Sequence, residues 1–234
     1  MLSPDLLRVL KSVDTPTVCN AIEVAQGRRG FKNFTRKTML ASDANAPAMV
    51  GYACTAQIAA LEPPKESPDT IKKRRMDYYR AMAAAVKSGP TICVVEDVDD
   101  EKAVGAFWGE VNTTVHKGLG LVGTITNGLM RDLGDMANDY PVLAGGIGPS
   151  HMYVHIRSVS QPVKIYGMAV NQGDLLHADC HGALVIPDEV LPNLNYAVKK
   201  LLETERLILE PARQPDFNID EFEKAWAAFE AART

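Results

Sequence analysis

The run Thr91–Asp97, TICVVED, constrains the fold more than any other segment. An apolar stretch of that length ending in acids suits a strand buried inside a sheet. A buried strand needs neighbours and cover, and the rest of the chain offers both. Residues 50–61 and 120–126 read as further strands, Pro141–Ala144 as a short one. Residues 162–170, 175–179 and 183–187 read as a series with turns at Gly167 and Gly173. Helices are predicted over 4–12, 16–26, about 70–88, 112–119, about 189–207 and 219–232, with a loop at Pro63–Pro68. Ser3–Pro4 and Thr15–Pro16 read as N-cap plus first-turn pairs, and Gly27 closes the second helix. Strands fill the middle and helices both ends, which makes the class mixed α/β. The 234 residues suffice for one domain, 1–234, whose terminal helices (about 1–27 and 189–234) pack on the core or on neighbouring subunits.

A net charge of −4 argues against a nucleic-acid binder, which carries a basic excess. The four adjacent cations Lys72–Arg75 cover every face of a helix and read as a solvated surface. No run of about 18 apolar residues is present to span a membrane. The start MLSPDLLRVLKSVD lacks a basic stretch followed by an apolar block, so no secretory signal is expected. Cys19, Cys54, Cys93 and Cys180 form no C-x-x-C pair and read as small buried apolar residues, which suits a reducing cytoplasm.

The segment with the most chemistry is 109–135, GEVNTTVHKGLGLVGTITNGLMRDLGD. A strand runs into the turn dipeptide Asn127–Gly128, and just beyond sit Arg131, Asp132 and Asp135. The end of a strand followed by a glycine turn is where open α/β sheets place ligands. A carboxylate there can hold a hard divalent cation. The adjacent guanidinium can grip a carboxylate or oxo group with two parallel hydrogen bonds. The bland alternative is a surface ion pair capping a helix. Elsewhere, His177, Asp179 and His181 alternate on a strand and would share one face, a metal-ligand set. The alternative is that Asp179 bonds a turn before Gly182. His151 and His155 are spaced as helical ligands, but HMYVHI reads equally as a strand. Gly145, Gly146 and Gly148 do not form a nucleotide loop, because Pro149 follows where a phosphate-binding helix must begin. A turn or a close backbone approach is expected there.

Segment 109–135 resembles the RraA-like family, which includes class II 4-hydroxy-4-methyl-2-oxoglutarate aldolases. The family's aldolase signature is an acid, twenty residues, then Arg-Asp. Twenty residues separate Glu110 from Arg131, and Asp132 follows. Some members place glycine first and an acid a few residues after the arginine, as Asp135 does here. The stretches Thr15–Ala21 and Gly173–Gly182, the latter followed by Val185-Ile186-Pro187, resemble two further family segments in the same order. The departures are Glu110 for the commoner Asp, Asn20 and Asn127 at positions where Asp is common, and a longer loop and helix over about 63–88.

The resemblance implies a swivelling-type β/β/α domain with stacked sheets and flanking helices, assembled as trimers or hexamers with sites between subunits. It implies Mg²⁺ or Mn²⁺ held by Asp132, partly through water, and a substrate carboxylate bound by the backbone of Gly109, Glu110, Val111 and Asn112. Arg131 would stabilise a pyruvate enolate formed by retro-aldol cleavage or by oxaloacetate decarboxylation. Glu110 would orient or deprotonate a water acting on the 4-hydroxyl, with Asp135 the alternative base. A neighbour's Glu203, Glu205 or Glu210 is implied to enter the site. Two rival expectations stand beside this one. The chain can be a regulator that binds an RNA-degrading enzyme, or a lyase or hydratase using a His177–Asp179–His181 metal.

Overall fold

A computed structural model describes residues 2–233. The strands are β1 (Leu40–Ala41), β2 (Met49–Ala59), β3 (Thr91–Asp97), β4 (Ala106–Trp108), β5 (Gly123–Thr126), β6 (Leu129–Met130), β7 (Val142–Ala144), β8 (Gly146–Ile147), β9 (His155–Val159), β10 (Val163–Ile165), β11 (Met168–Val170), β12 (Leu175–Asp179) and β13 (Gly182–Ile186). The helices are α1 (Pro4–Lys11), α2 (Thr15–Gln26), α3 (Pro68–Ala85), α4 (Glu110–Gly118), α5 (Leu191–Ala212) and α6 (Ile219–Arg233). Among the described residues no helix is long and apolar enough to cross a membrane.

The main sheet runs β1-β7-β5-β3-β2-β12-β13, with β9 added to β2. β2, β3, β5 and β7 are parallel, which requires crossovers; α3 supplies the first and β4 with α4 the second. The 11 residues of β2 serve two partners along one edge. Its first residues pair with β12 and its last with β9, across a register shift between Gln57 and Ile58. Each of β3, β5 and β7 continues past its end into a strand of a second sheet, β4-β6-β8, also parallel. This small sheet carries the candidate site.

The expected burial of β3 on both faces holds. Ile92 and Val94 pack toward the β10–β11 hairpin, Cys93 and Val95 toward α3 and α4. A third cluster seats α1, α2 and α5 on β12 and β13 through Leu10, Val18, Ile22, Leu184, Leu194 and Val198. Each fully buried side chain of this size stabilises by roughly 1.5–3 kcal/mol relative to exposure. The mixed α/β layering with flanking helices therefore follows from three apolar faces, each covered by a different element.

Several boundaries differ from the sequence reading. Asp14, not Thr15, caps α2, accepting from the Thr17 N–H at 2.9 Å. Thr15 is instead gripped from below: its N–H donates to Asp179 Oδ2 at 2.8 Å and its hydroxyl pairs with His177 Nδ1 at 3.0 Å. α4 begins at Glu110 rather than 112, and β5 begins at Gly123 rather than 120. α5 runs to Ala212, past 207, because α6 packs along it. The short strands β4, β6 and β8 had no legible signal of their own. The glycine cluster acts as a close approach: a Cβ on Gly145 would stand 2.2 Å from both the Asn127 carbonyl oxygen and the Tyr166 hydroxyl. Lys72, Lys73 and Arg75 are exposed as expected, while Arg74 folds back to Glu66 and the Ile156 carbonyl, both at 3.0 Å. The cysteines divide: Cys54 and Cys93 are buried, Cys19 is half-buried and Cys180 is exposed, so the uniform burial expected of them fails at Cys180.

Candidate active site

Parallel pairing of β4 with β6 brings the residues that follow each strand face to face. Arg131 N–H donates to the Trp108 carbonyl at 2.7 Å, which fixes that register. Gly109 then starts α4 without a side-chain cap, and Arg131 and Asp132 lie against it. A Cβ on Gly109 would stand 2.3 Å from Asp132 Oδ2, 3.0 Å from Arg131 Cγ and 3.1 Å from Arg131 Nε. Only glycine leaves room for that carboxylate. The Glu110 N–H faces Asp132 Oδ2 at 3.3 Å, so the carboxylate sits at the positive end of the helix.

Asp132 has φ of +54°, in the left-handed region that Asp tolerates better than most residues. Its carbonyl accepts from the Asp135 N–H at 2.9 Å, closing a tight turn. Thr113, buried in α4, holds the next stretch by accepting from the Ala137 N–H at 3.0 Å. Arg131 Nε lies 3.3 Å from Asp132 Oδ2, close enough for attraction. It is nonetheless a buried donor with no aligned acceptor. A guanidinium with an unspent N–H beside a half-exposed carboxylate can pair with a third, oxygen-rich species.

The structure thus gathers Gly109, Glu110, Arg131 and Asp132, with Asp135 on the turn behind them. Glu110 and Asp135 are exposed, and Val111 is 70% exposed. The Asn112 side chain is turned away from them. Its side chain is taken by the Tyr79 hydroxyl, which donates at 2.9 Å, and by the Phe107 carbonyl.

Two buried groups behind the site were not singled out by sequence reasoning. His116, on α4, accepts from the Tyr78 hydroxyl at Nε2 (2.6 Å) and donates from Nδ1 to the Asn112 carbonyl (2.6 Å). Trp108 stacks edge-on against it at 4.8 Å. Burial drives the His116 pKa down to about 4, against the pull of the Asn112 carbonyl, so it is neutral and both nitrogens are committed. The other is Asp97, at the end of β3. Burial, reinforced by nearby Asp99 and Asp100, pushes its pKa up to about 7 despite the Asp99 N–H that it accepts at 3.0 Å. Its Oδ2 has no partner. The Asn127 amide completes the sheet beside it, accepting from the Asp97 N–H at 2.7 Å and donating to the Asp97 carbonyl at 2.8 Å. The one legible hint was the acidic end of TICVVED, at the end of a parallel strand.

The histidine sets resolve differently. His177 is buried, with Nδ1 toward the Thr15 hydroxyl and Nε2 donating to the Leu10 carbonyl at 2.9 Å. Both nitrogens are used, so the metal set that includes His177 is corrected to a structural clamp on the start of α2. His151 and His155 each bond a neighbouring carbonyl at 2.8 Å, and His155 begins β9, so they form no helical ligand pair. Glu203 and Glu210 are exposed on α5, with Glu205 half-buried.

Known proteins give context to this geometry. The family model described as RraA-like: Aldolase/RraA matches residues 15–185. An uncharacterised protein of Methanocaldococcus jannaschii is 32% identical over 119 residues, which are 50% of this chain and 57% of that protein. The chain therefore spans little more than half the length of that relative. A crystal structure of an uncharacterised Pseudomonas syringae protein superposes with a TM-score of 0.68 at 19% identity, covering 100% of this chain and 98% of the other. Streptomyces coelicolor RraAS2, described as an unusual member of the RNase ES inhibitor RraA protein family, superposes with a TM-score of 0.64 at 21% identity, covering 91% of this chain and 98% of that one. The Gly109–Arg131–Asp132 corner lies inside the matched span, and the chain belongs to the RraA-like family.

Proposed function

We propose that the chain is a divalent-metal-dependent lyase that breaks a carbon–carbon bond of a 2-oxo acid. The reactions are retro-aldol cleavage of a 4-hydroxy-2-oxo acid to pyruvate and decarboxylation of oxaloacetate. One observation carries the reading: Asp132 and Arg131 are packed over the bare start of α4, with Arg131 Nε buried and unspent. The donors suit Mg²⁺ or Mn²⁺. Asp132 offers carboxylate oxygen with its side chain 38% exposed, and such ions commonly use one or two carboxylates and keep several waters. Bound there, the ion would supply Lewis acidity toward the substrate's carboxylate and 2-oxo oxygens.

The residues of the chain then divide the work. The N–H groups of the first turn of α4, those of Val111 and Asn112 beside the Glu110 N–H that faces Asp132, bind the substrate carboxylate at the positive helix end. Arg131 donates to the oxygen on which negative charge develops. Glu110 takes the 4-hydroxyl proton through a water, with Asp135 the alternative base. Exposed Val111, Leu133 and Ile147 fringe the site. Such an apolar rim is consistent with a ring of copies, a trimer or hexamer, in which α5 of a neighbour lends Glu203, Glu205 or Glu210.

The test is pyruvate release from oxaloacetate and from a 4-hydroxy-2-oxo acid, with Mg²⁺ or Mn²⁺ and after chelation, in wild type and Asp132→Ala. Metal-dependent release that the folded variant lacks is expected. No release from either substrate would favour the other reading that the Streptomyces neighbour supports, a regulator that binds an RNA-degrading enzyme and uses the same apolar rim.

A further inference from the structure

We propose that the turn joining β12 to β13 is a binding site for a borderline-soft divalent cation of the zinc class, held by Asp179, Cys180 and His181. One donor atom from each of the three lies within 4.8 Å of the other two. His181 Nδ1 stands 3.1 Å from Asp179 Oδ1 and 3.7 Å from Cys180 Sγ. A tetrahedral zinc ion, with bonds of about 2.3 Å to sulfur and about 2.0 Å to nitrogen and oxygen, sets S···N near 3.5 Å and N···O near 3.3 Å. The two spacings from His181 Nδ1 already stand close to those values. Oxygen, nitrogen and sulfur together select zinc-like ions over Mg²⁺, which prefers oxygen alone.

A second observation points the same way. A cavity of about 10 Å³, on the order of one water, opens beside Asp179 and Cys180, with Met49, Val142 and Leu143 among its apolar walls. A water is the fourth ligand. Asp179 is also pre-oriented: Oδ2 is fixed by the Thr15 N–H at 2.8 Å and Oδ1 accepts from the His181 N–H at 2.9 Å. Outer partners of this kind hold a ligand in place. Cys180 and His181 are exposed, so an ion has a path in. The turn follows the end of β12, which pairs with the first residues of β2, while the Gly109–Arg131–Asp132 corner lies beyond the opposite ends of the parallel strands. The ion would rigidify the β12–β13 turn, which Asp179 already ties to the start of α2 through the Thr15 N–H, independently of any lyase chemistry.

The experiment is titration of the full chain with Cd²⁺, read as thiolate-to-cadmium charge-transfer absorbance, followed by displacement with Zn²⁺. Wild type and Asp132→Asn are expected to bind one equivalent with the band, because Asp132 offers no sulfur. Cys180→Ser should lose the band, and His181→Gln should bind at least about 10-fold more weakly. A second measurement needs no variant: Zn²⁺ should slow alkylation of Cys180 in wild type, read by peptide mass mapping. No band in wild type, a band that survives Cys180→Ser, or equal alkylation with and without Zn²⁺ overturns the site.

Discussion

Replacing Gly109 with alanine tests the active-site reading with a single methyl group. The backbone there, φ −150° and ψ −166°, is extended and open to any residue. The cost to folding should therefore stay within about 1 kcal/mol, the scale of an unfavourable cap residue. The cost to the site is steric. The new Cβ would stand 2.3 Å from Asp132 Oδ2, whereas atoms not bonded to each other settle at roughly 3.5 Å. The carboxylate must retreat by about 1 Å, and Arg131, at 3.0–3.1 Å, must shift with it. A misplacement of about 1 Å in a catalytic array costs on the order of 10²-fold in rate. The assay is kcat/KM for pyruvate release at saturating Mg²⁺, beside thermal unfolding of the same preparation. Gly118→Ala, at the other end of α4, is the control. Nothing lies within 4 Å of its Cβ, so that variant should keep full activity. Wild-type kcat/KM in a folded Gly109→Ala protein would refute the placement of chemistry at Asp132 and Arg131.

Arg131→Lys keeps the charge but not the fork, and kcat/KM should fall on the order of 10²-fold or more; near wild-type kinetics would make Arg131 a structural cap. Glu110→Gln should slow retro-aldol cleavage by about 10²–10⁴-fold while oxaloacetate decarboxylation, which removes no hydroxyl proton, falls much less. Equal losses in both rates would move the base to Asp135. Stability should respond to pH through two buried groups of opposite sign. The folded pKa of Asp97 is raised from 3.8 to about 7, so its ionisation becomes a growing cost as pH rises between those values. Asp97→Asn should therefore be more stable than wild type at pH 8, by a few kcal/mol at most, and lose that advantage as pH falls toward 4. The folded pKa of His116 is depressed from 6.5 to about 4, so stability is complete above 6.5 and falls by about 3 kcal/mol as pH drops to 4. Urea unfolding of Asp97→Asn across pH 4–8 would expose that slope; a flat profile would mean that His116 titrates freely.

The sequence by itself determined the elements that local physics controls. TICVVED could only be a covered strand, and the structure buries it on both faces. Ser3 with Pro4, and Gly27, marked helix ends that the structure uses. The spacing of Glu110 from Arg131–Asp132, which resembles the RraA-like signature, pointed to residues that the structure does bring together, because parallel pairing of β4 with β6 sets the ends of both strands side by side. What only the tertiary structure decided depends on partners distant in the chain. β4, β6 and β8 are two or three residues long and exist because they pair with one another. The alternation of His177, Asp179 and His181 left a ligand set and a structural role both open, and Leu10 and Thr15, more than 160 residues away, decided it by taking both nitrogens of His177. Asp97 and His116 owe their shifted proton affinities to burial beneath elements far off in sequence, and burial is a property of the assembled layers. Gly109 was named for its backbone. Its missing side chain matters because residues 22 and 23 positions onward fold back onto it and leave no room for a methyl group.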